Sequence, residues 1–208
     1  MQLNEGQKEI GRRNFLKAVA ALPAVGAFAY TAAQAGPVKI GIIGTGMEGR
    51  ILIQAMDPKY TYIVAMCDIR PDNKAIGKWW LGQCGHSADP RVYEDYHDLL
   101  NDPEVEAVVI ATPLHMHAPM AIDAMKAGKH VFTEKTMAFS VEDCQNMVRT
   151  AQETGMNLQV GHQRFYNPLY WDAYRMIREG LIGNVYHIRA LWHRNTDWNY
   201  WTFVEDKH

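Results

Sequence analysis

The glycine-rich segment at residues 38–49 constrains the fold of this chain most. An apolar, β-branched run leads into the pattern Gly-x-Gly-x-x-Gly, and a helix-compatible segment follows over residues 50–56. In a dinucleotide-binding turn, Gly44 would permit the tight turn, Gly46 would admit a pyrophosphate, and Gly49 would let helix and strand pack closely. The pattern alone is common, but its place between strand and helix predicts a dinucleotide site, with a ligand-free turn as the alternative. The turn residues expected to contact the dinucleotide are Gly44, Thr45, Gly46, Met47, Glu48 and Gly49.

Residues 1–35 are predicted to be an export signal. An Arg-Arg pair at residues 12–13 precedes a mildly apolar run that ends in Ala-Gln-Ala. This order is typical of a secretory signal for the twin-arginine route. A membrane-spanning helix is disfavoured because Pro23 and Gly26 interrupt the run, which is shorter than the roughly 20 residues that a span needs. We therefore expect cleavage after Ala35, recognition by the twin-arginine machinery, and a periplasmic or otherwise exported protein.

Composition argues against two further classes of function. The formal net charge is −2 and the charges are mixed, so no basic stripe is present for a nucleic acid. The three cysteines have neither metal-binding nor disulfide spacing. We expect no nucleic-acid partner and no metal site.

After the glycine turn, the chain alternates between strand and helix patterns. Its strand-like runs lack polar alternation, which is typical of a parallel sheet covered by helices on both faces. We therefore predict an α/β fold with a doubly wound parallel Rossmann sheet. The later strands are predicted at residues 61–67, 107–111, 130–133 and 158–161, and helices at about residues 74–81, 93–100, 118–127 and 141–155.

Asp68 and Arg70 follow the second predicted strand and bear on the choice of dinucleotide. An acid about 20 residues after the glycine turn hydrogen-bonds the adenosine ribose in many dinucleotide-binding domains. Its charge would repel a 2′-phosphate, which favours NAD, whereas Arg70 could instead pair with that phosphate of NADP. The alternative for Asp68 is a turn residue without a ligand.

Two more segments follow predicted strands and should reach the same edge of the sheet. The first contains Thr112, Pro113, His115 and His117, at the edge where ligands bind in open α/β sheets. The two histidines could contact a cofactor, whereas a metal site is disfavoured because no nearby ligand completes the set. The second segment is Glu134-Lys135, where a lysine beside the nicotinamide could transfer a proton at a substrate oxygen and Glu134 could orient it or hold the ribose. Taken alone, such a pair after a strand could also be a solvated loop.

Together these motifs resemble those of the Gfo/Idh/MocA oxidoreductases, the family of glucose–fructose oxidoreductase and inositol dehydrogenase. The resemblance implies an NAD(P)-binding domain over residues 36–162 and a C-terminal substrate and oligomerisation domain that begins at residues 163–208 and is incomplete here. It also implies a homo-oligomer for the full-length protein. The matching pieces are the glycine turn, Cys67-Asp68, Ala111-Thr112-Pro113 with His117, Ala127–Val131, Glu134-Lys135 and Gln159–Arg164.

The resemblance also assigns roles to individual residues. Lys135 matches a lysine that relatives use for proton transfer or substrate orientation, and Arg164 matches an arginine that often contacts cofactor or substrate. Thr136 replaces a proline whose peptide bond is commonly cis in relatives. A cis bond before threonine costs about 3 kcal/mol, so we expect a trans bond here unless the site enforces strain. Residues 186–193 read as the first strand of the second domain, and relatives take a catalytic histidine from beyond the position of His208.

The implied activity is hydride transfer between a tightly bound NAD or NADP and a CH–OH group of a sugar or polyol. Free NAD is scarce outside the cytoplasm, so an exported member of the family would carry its dinucleotide with it. Two alternatives remain at this point. One is a glycosidase that uses NAD for a transient oxidation followed by elimination, and the other is a non-catalytic dinucleotide-binding protein.

Overall fold

The computed structural model describes residues 36–191 and residue 193. The predicted export signal, residues 1–35, lies outside the described residues. Among those described, no helix is both long enough and apolar enough to cross a membrane.

Six parallel strands form a single sheet in the described part of the chain. In chain order they are β1 (Val38–Ile43), β2 (Thr61–Cys67), β3 (Arg91–Tyr93), β4 (Ala107–Ile110), β5 (His130–Thr133) and β6 (Leu158–Val160). Their order across the sheet is β3-β2-β1-β4-β5-β6, so the direction of winding reverses between β1 and β4. This is the strand order of a doubly wound dinucleotide-binding fold, and it confirms the predicted Rossmann sheet.

Helices connect the strands and cover the sheet. They are α1 (Met47–Ala55), α2 (Pro71–Gln83), α3 (Tyr96–Leu100), α4 (His117–Lys126) and α5 (Val141–Thr154), and a 3₁₀ turn at Leu114–Met116 precedes α4. The hydroxyl of Ser140 accepts a hydrogen bond from the Asp143 N–H at 3.0 Å and caps α5.

Two apolar clusters form the core, one on each face of the sheet. Alternate residues of a strand point to opposite faces, and β1 shows this directly. Ile40 and Ile42 belong to one cluster, while Ile43 belongs to the other. Because both faces are buried, the strands carry the continuous apolar runs that the sequence shows.

The structure differs from the sequence prediction in strand β3 and in helices α2 and α3, of which α3 begins at Tyr96, three residues after the predicted start. Strand β3 was not predicted, because it has three residues and two of them are exposed, so it carries no apolar run. Helix α2 begins at Pro71, three residues before the predicted start. Proline suits this first position because its missing N–H would have no partner within the helix.

The peptide bond between Lys135 and Thr136 is cis, so the expectation of a trans bond is wrong. That expectation used the intrinsic energy of an isolated peptide bond. It took no account of the buried His117, whose Nδ1 lies 2.9 Å from the Thr136 carbonyl oxygen.

The described residues from Gln163 onward form a second compact unit. It contains helix α6 (Pro168–Arg178), which is capped by the Asn167 side chain accepting a hydrogen bond from the Leu169 N–H. The strand predicted at residues 186–193 is not formed in the described residues, and residue 192 lies outside them. A strand needs a pairing partner, and none is present among the described residues of this unit.

Candidate cofactor site

A cleft of about 900 Å³ opens at the carboxyl ends of the strands. It lies where the sheet order reverses between β1 and β4, the place where loops of a doubly wound sheet diverge and leave a crevice. Four segments line it: the glycine turn, the end of β2 with the start of α2, the loop after β3, and the loop after β4. The predicted site residues among the lining are Gly44, Gly46, Asp68, Arg70, Thr112, Pro113 and His115.

The glycine turn has the geometry that its pattern predicts. Gly44 has a φ of +91°, and a Cβ there would lie 2.5 Å from the Ala111 carbonyl oxygen. A Cβ on Gly49 would lie 2.0 Å from the Gly44 carbonyl oxygen. At Gly46, by contrast, the nearest atom to a Cβ would be the Asn73 side-chain nitrogen at 4.0 Å. The open backbone at Gly46, beside the start of α1, fits the close approach of a pyrophosphate.

Asp68 is the centre of a hydrogen-bond network beneath this turn and is only 8% exposed. Its Oδ2 accepts from the Thr45 N–H at 2.8 Å and the Thr45 hydroxyl at 3.2 Å. Its Oδ1 accepts from the Arg70 N–H at 2.8 Å and the Asn73 side-chain amide at 3.3 Å. A carboxylate offers about four acceptor positions, so these contacts use most of its capacity. Asp68 therefore holds the glycine turn against the start of α2.

The buried side chain of Thr45 completes this network. It is 0% exposed, and its hydroxyl also contacts the Asn73 carbonyl oxygen at 3.0 Å. Gly77 of α2 makes the close approach possible, because a Cβ there would lie 2.8 Å from the Thr45 Cβ. Both polar hydrogens of Thr45 are thus directed to protein groups, and its side chain positions the turn from behind.

Charged residues surround the end of the cleft near β2 and β3. Arg70 lines the cleft two residues after Asp68. Lys74 is paired with Glu94 at 2.6 Å, and this contact holds the pKa of the Glu94 carboxyl below its usual value. Of the two basic side chains Arg70 and Lys74, therefore, only Lys74 is paired with Glu94.

The loop after β4 supplies the opposite wall. Thr112, Pro113 and His115 line the cleft, and the Thr112 hydroxyl lies 3.6 Å from the Met120 sulfur. His117 belongs to the same sequence motif but is 2% exposed, and it does not belong to the lining. Its ring nitrogens contact the carbonyl oxygens of Thr112 and Thr136.

Glu134 and Lys135 follow β5, the strand next to β4, but do not belong to the cleft lining. Glu134 is 9% exposed, and its Oε2 accepts a hydrogen bond from the Lys135 N–H at 2.9 Å. A Cβ on Gly161 would lie 3.3 Å from this oxygen, so glycine leaves room for the carboxylate. The Lys135 side chain itself is exposed at the ligand edge of the sheet.

The remaining predicted residues lie in two places. Met47 and Glu48 form the first turn of α1 and are exposed. Arg164 lies in the second unit, where its Nη1 donates a hydrogen bond to the Tyr170 hydroxyl at 3.2 Å. Its contact with a cofactor therefore stays a prediction.

Sequence reasoning missed five polar residues of the lining: Asn73, Glu94, Asp95, Tyr96 and His97. The Tyr96 hydroxyl donates to Asp123 at 2.8 Å, and burial together with this carboxylate raises the pKa of Tyr96 to about 12. Tyr96 and His97 follow β3, so finding them required finding that short strand. Asn73 could have been found as a polar residue in the first turn of the helix after Asp68.

Comparisons with known proteins agree with this fold. The GFO_IDH_MocA family model, described as an oxidoreductase family with an NAD-binding Rossmann fold, matches residues 38–162. An inositol 2-dehydrogenase/D-chiro-inositol 3-dehydrogenase from Lactiplantibacillus plantarum is 36% identical over 154 residues, which cover 73% of this chain and 43% of that protein. A glycosyl hydrolase family 109 protein from Shewanella baltica is 32% identical over 216 residues, covering 91% of this chain and 47% of that protein.

Solved structures include relatives with either dinucleotide. A scyllo-inositol dehydrogenase from Lactobacillus casei with bound NAD(H) and scyllo-inositol superposes with a TM-score of 0.61 at 26% identity, covering 71% of this chain and 43% of that one. A 3-ketoreductase from Actinomadura kijaniata in complex with NADP and TDP-benzene has a TM-score of 0.59 at 25% identity, with coverages of 70% and 43%. This chain thus spans less than half the length of these relatives.

Proposed function

The chain belongs to the Gfo/Idh/MocA family of NAD-binding oxidoreductases, and from this membership we propose that the protein transfers a hydride between a tightly held dinucleotide and a sugar or polyol derivative. The observation that carries the proposal is the cleft between β1 and β4, which both the open backbone at Gly46 and the loop after β4 line. When bound, a nicotinamide dinucleotide supplies the hydride acceptor or donor.

Different residues of the described chain would bind different parts of the dinucleotide and the substrate. Gly44, Gly46 and the start of α1 would hold the pyrophosphate, and the loop at Thr112–His115 would hold the nicotinamide side. Lys135 would carry the proton of the reacting hydroxyl, because an amine at the ligand edge can exchange a proton with a substrate oxygen. Glu134 fixes the backbone of this lysine through its hydrogen bond to the Lys135 N–H.

NAD is the dinucleotide that we propose. The Asp68 carboxylate at the end of β2 would repel a 2′-phosphate, and Lys74 is already paired with Glu94. Arg70 is the residue that would favour NADP instead, and both kinds of dinucleotide occur among the similar structures. Binding constants for the two dinucleotides, measured side by side by calorimetry, test this choice.

An NAD-dependent glycosidase is the second candidate function. The match to the glycosyl hydrolase family 109 protein covers 91% of this chain, against 73% for the inositol dehydrogenase. The likeness to that protein therefore extends further beyond the dinucleotide-binding segment.

One experiment separates the two candidates. The longest protein that the reading frame encodes is incubated with NAD and either free polyols and sugars or their aryl glycosides. Net formation of reduced nicotinamide from free polyols or sugars supports the dehydrogenase. Release of the aryl alcohol without net reduction supports the glycosidase, and dinucleotide binding without either reaction supports a non-catalytic protein.

We also propose that the protein is exported with its dinucleotide already bound. The Arg-Arg pair and the apolar run in residues 1–35 support export by the twin-arginine route, which moves folded proteins. A dinucleotide that enters the cleft before export would need to be retained afterwards. Denaturing the purified exported protein and analysing the released nucleotide tests this proposal.

A further inference from the structure

Glu94 follows β3 and leaves the sheet beside Asp68. Cys67 and Tyr93, the last residues of β2 and β3, are partners in the parallel register, so the two acids that follow them emerge next to each other. The Cys67 thiol also donates a hydrogen bond to the Glu94 carbonyl oxygen at 3.5 Å, and burial raises the pKa of this thiol to about 11, so it keeps its proton. Asp68 and Glu94 both line the cleft. The backbone of Glu94 is therefore fixed at the end of the cleft where Asp68 would meet the adenosine ribose.

The Glu94 carboxylate holds the ammonium group of Lys74 at this end of the cleft. The Lys74 Nζ lies 2.6 Å from Glu94 Oε1, and no other acid of the described residues is in ion-pair contact with this lysine. The Lys74 side chain is 16% exposed, whereas that of Glu94 is 85% exposed. Lys74 also lies near the positive end of the α2 dipole, which disfavours an unpaired cation. If Glu94 lost its charge, another group that carries negative charge could therefore take its place.

The 2′-phosphate of NADP is such a group. It distinguishes NADP from NAD, and it is carried by the adenosine ribose that Asp68 would bind. A lysine binds phosphate through its charge and its N–H donors. While Lys74 is paired with Glu94, the two charges cancel, and the pair offers a phosphate no net attraction. Without the Glu94 charge, the ammonium group would attract the phosphate and could donate a hydrogen bond to it.

We infer that Glu94 is a specificity-determining residue that occupies Lys74 and so withholds this cation from the 2′-phosphate of NADP. The inference rests on the proposed binding of a dinucleotide in the cleft. It gives the two neighbouring acids different roles: Asp68 repels the phosphate directly, whereas Glu94 removes a cation that would bind it. Arg70, which also lines the cleft, is a second cation of this region, and its contribution can be measured separately.

Binding measurements test the inference without any turnover. The full-length protein, freed of copurified nucleotide, is titrated by calorimetry with NAD and with NADP. Adenosine 5′-monophosphate and adenosine 2′,5′-bisphosphate repeat the comparison with the adenosine half alone. Glu94→Gln should bind NADP and the bisphosphate about tenfold more tightly than the original protein, the scale of one partly exposed charge-assisted hydrogen bond. Its affinity for NAD should change by less than about twofold, because NAD carries no charge at this position. Glu94→Ala also frees Lys74 and should give the same result.

A double-mutant cycle identifies the cation that binds the phosphate. Lys74→Met in the Glu94→Gln background should abolish the gain in NADP affinity, whereas Lys74→Met alone should barely change the preference. Arg70→Gln in the Glu94→Gln background should keep the gain. A gain that persisted without Lys74 would show that Glu94 acts by repulsion alone, and it would overturn the inference.

The ion pair between Lys78 and Asp89 provides the matched control. It joins a lysine one turn further along α2 to an acid whose side chain is 92% exposed, at 2.7 Å, and neither residue lines the cleft. Asp89→Asn should leave both affinities unchanged. Binding of both dinucleotides with the original preference in Glu94→Gln and Glu94→Ala would overturn the inference and leave the proposed function in place. Binding of neither dinucleotide by the original protein would refute the proposed function, and the inference with it.

Discussion

At the scale of single residues, Asp68 combines two tasks that one substitution can separate. Its oxygens hold Thr45, Arg70 and Asn73, and it lines the cleft, where under the proposed function its charge would repel the 2′-phosphate of NADP. Asp68→Asn removes the charge and places an amide N–H₂ beside the N–H donors of Thr45, Arg70 and Asn73. We expect a loss of about 1–3 kcal/mol in unfolding free energy. We also expect the ratio of the affinity for NAD to the affinity for NADP to fall several-fold.

Asp72 is the matched control, because it is an exposed acid in the first turn of α2, close to Asp68 in sequence. Asp72→Asn should leave the dinucleotide preference unchanged. Chemical denaturation measures the stability of both variants, and calorimetric titration measures both affinities. An unchanged preference in Asp68→Asn would leave Asp68 only its role in holding the turn.

Lys135 is the residue on which the proposed chemistry depends most. Removing its amine should lower turnover by about 10²–10⁴-fold, the usual contribution of a proton-transferring group. Because Lys135 lies outside the cleft lining, Lys135→Ala should bind the dinucleotide as the original protein does. Lys126→Ala, which removes an exposed lysine from the end of α4, serves as the control. Near-normal turnover of Lys135→Ala in the full-length protein would contradict the role.

At the scale of elements, the turn between β1 and α1 can be tested by comparing two glycines. A Cβ on Gly49 would meet the Gly44 carbonyl oxygen at 2.0 Å, so Gly49→Ala must displace backbone. We expect it to cost about 1–3 kcal/mol of unfolding free energy and to weaken dinucleotide binding.

Gly82 of α2 offers the opposite case. A Cβ there would meet its nearest neighbour, the Ala88 Cα, at 3.8 Å, an ordinary contact distance. Gly82→Ala should therefore stabilise the protein by up to about 1 kcal/mol, because alanine loses less backbone entropy in a helix. Thermal unfolding of the two variants provides the measurement. Similar effects of the two substitutions would contradict the close packing at Gly49.

A buried carboxylate links β3 to the connection between α3 and β4 and gives this region a pH dependence. Asp102 has a side chain that is 4% exposed, and it accepts hydrogen bonds from the Glu104 N–H at 2.9 Å, Arg91 at 2.5 Å and Tyr93 at 3.1 Å. Burial would raise its pKa, but these contacts together hold the pKa of Asp102 below its ordinary value of 3.8.

Because the pKa of Asp102 is lower in the folded than in the unfolded protein, its stabilisation is present above the ordinary value. It is lost as the pH falls through the folded-state value. Asp102→Asn should lower the unfolding free energy at neutral pH by about 1–3 kcal/mol, and the difference from the original protein should shrink in acid. The control Asp89→Asn breaks an ion pair in which the Asp89 side chain is 92% exposed and should have no measurable effect. Denaturant titrations over a pH series test both, and a pH-independent difference would contradict the assignment.

The sequence allowed the sheet to be predicted better than the contacts within the site. Strands β2 and β5 have the predicted bounds because continuous apolar runs mark buried parallel strands. The position of Asp68 at the cleft could be predicted. The hydrogen bonds that its carboxylate accepts from Thr45 and Asn73 could not, because these partners come from different elements. The burial of His117 was hidden for the same reason: its two acceptors lie five and nineteen residues away.

At the scale of the whole molecule, cofactor loading and export should be separable, because the described residues that line the cleft all lie downstream of the predicted signal. Replacing Arg12 and Arg13 together by lysine keeps the charge but removes the paired guanidinium groups that mark the twin-arginine route. We expect the precursor to accumulate in the cytoplasm with its dinucleotide bound, as cell fractionation and analysis of the released nucleotide would show.

Lys17→Arg, a charge-conserving change outside the pair, is the control, and this variant should be exported normally. Export of the double variant at the original level would refute the twin-arginine assignment, whereas an exported original protein without nucleotide would refute loading before transport.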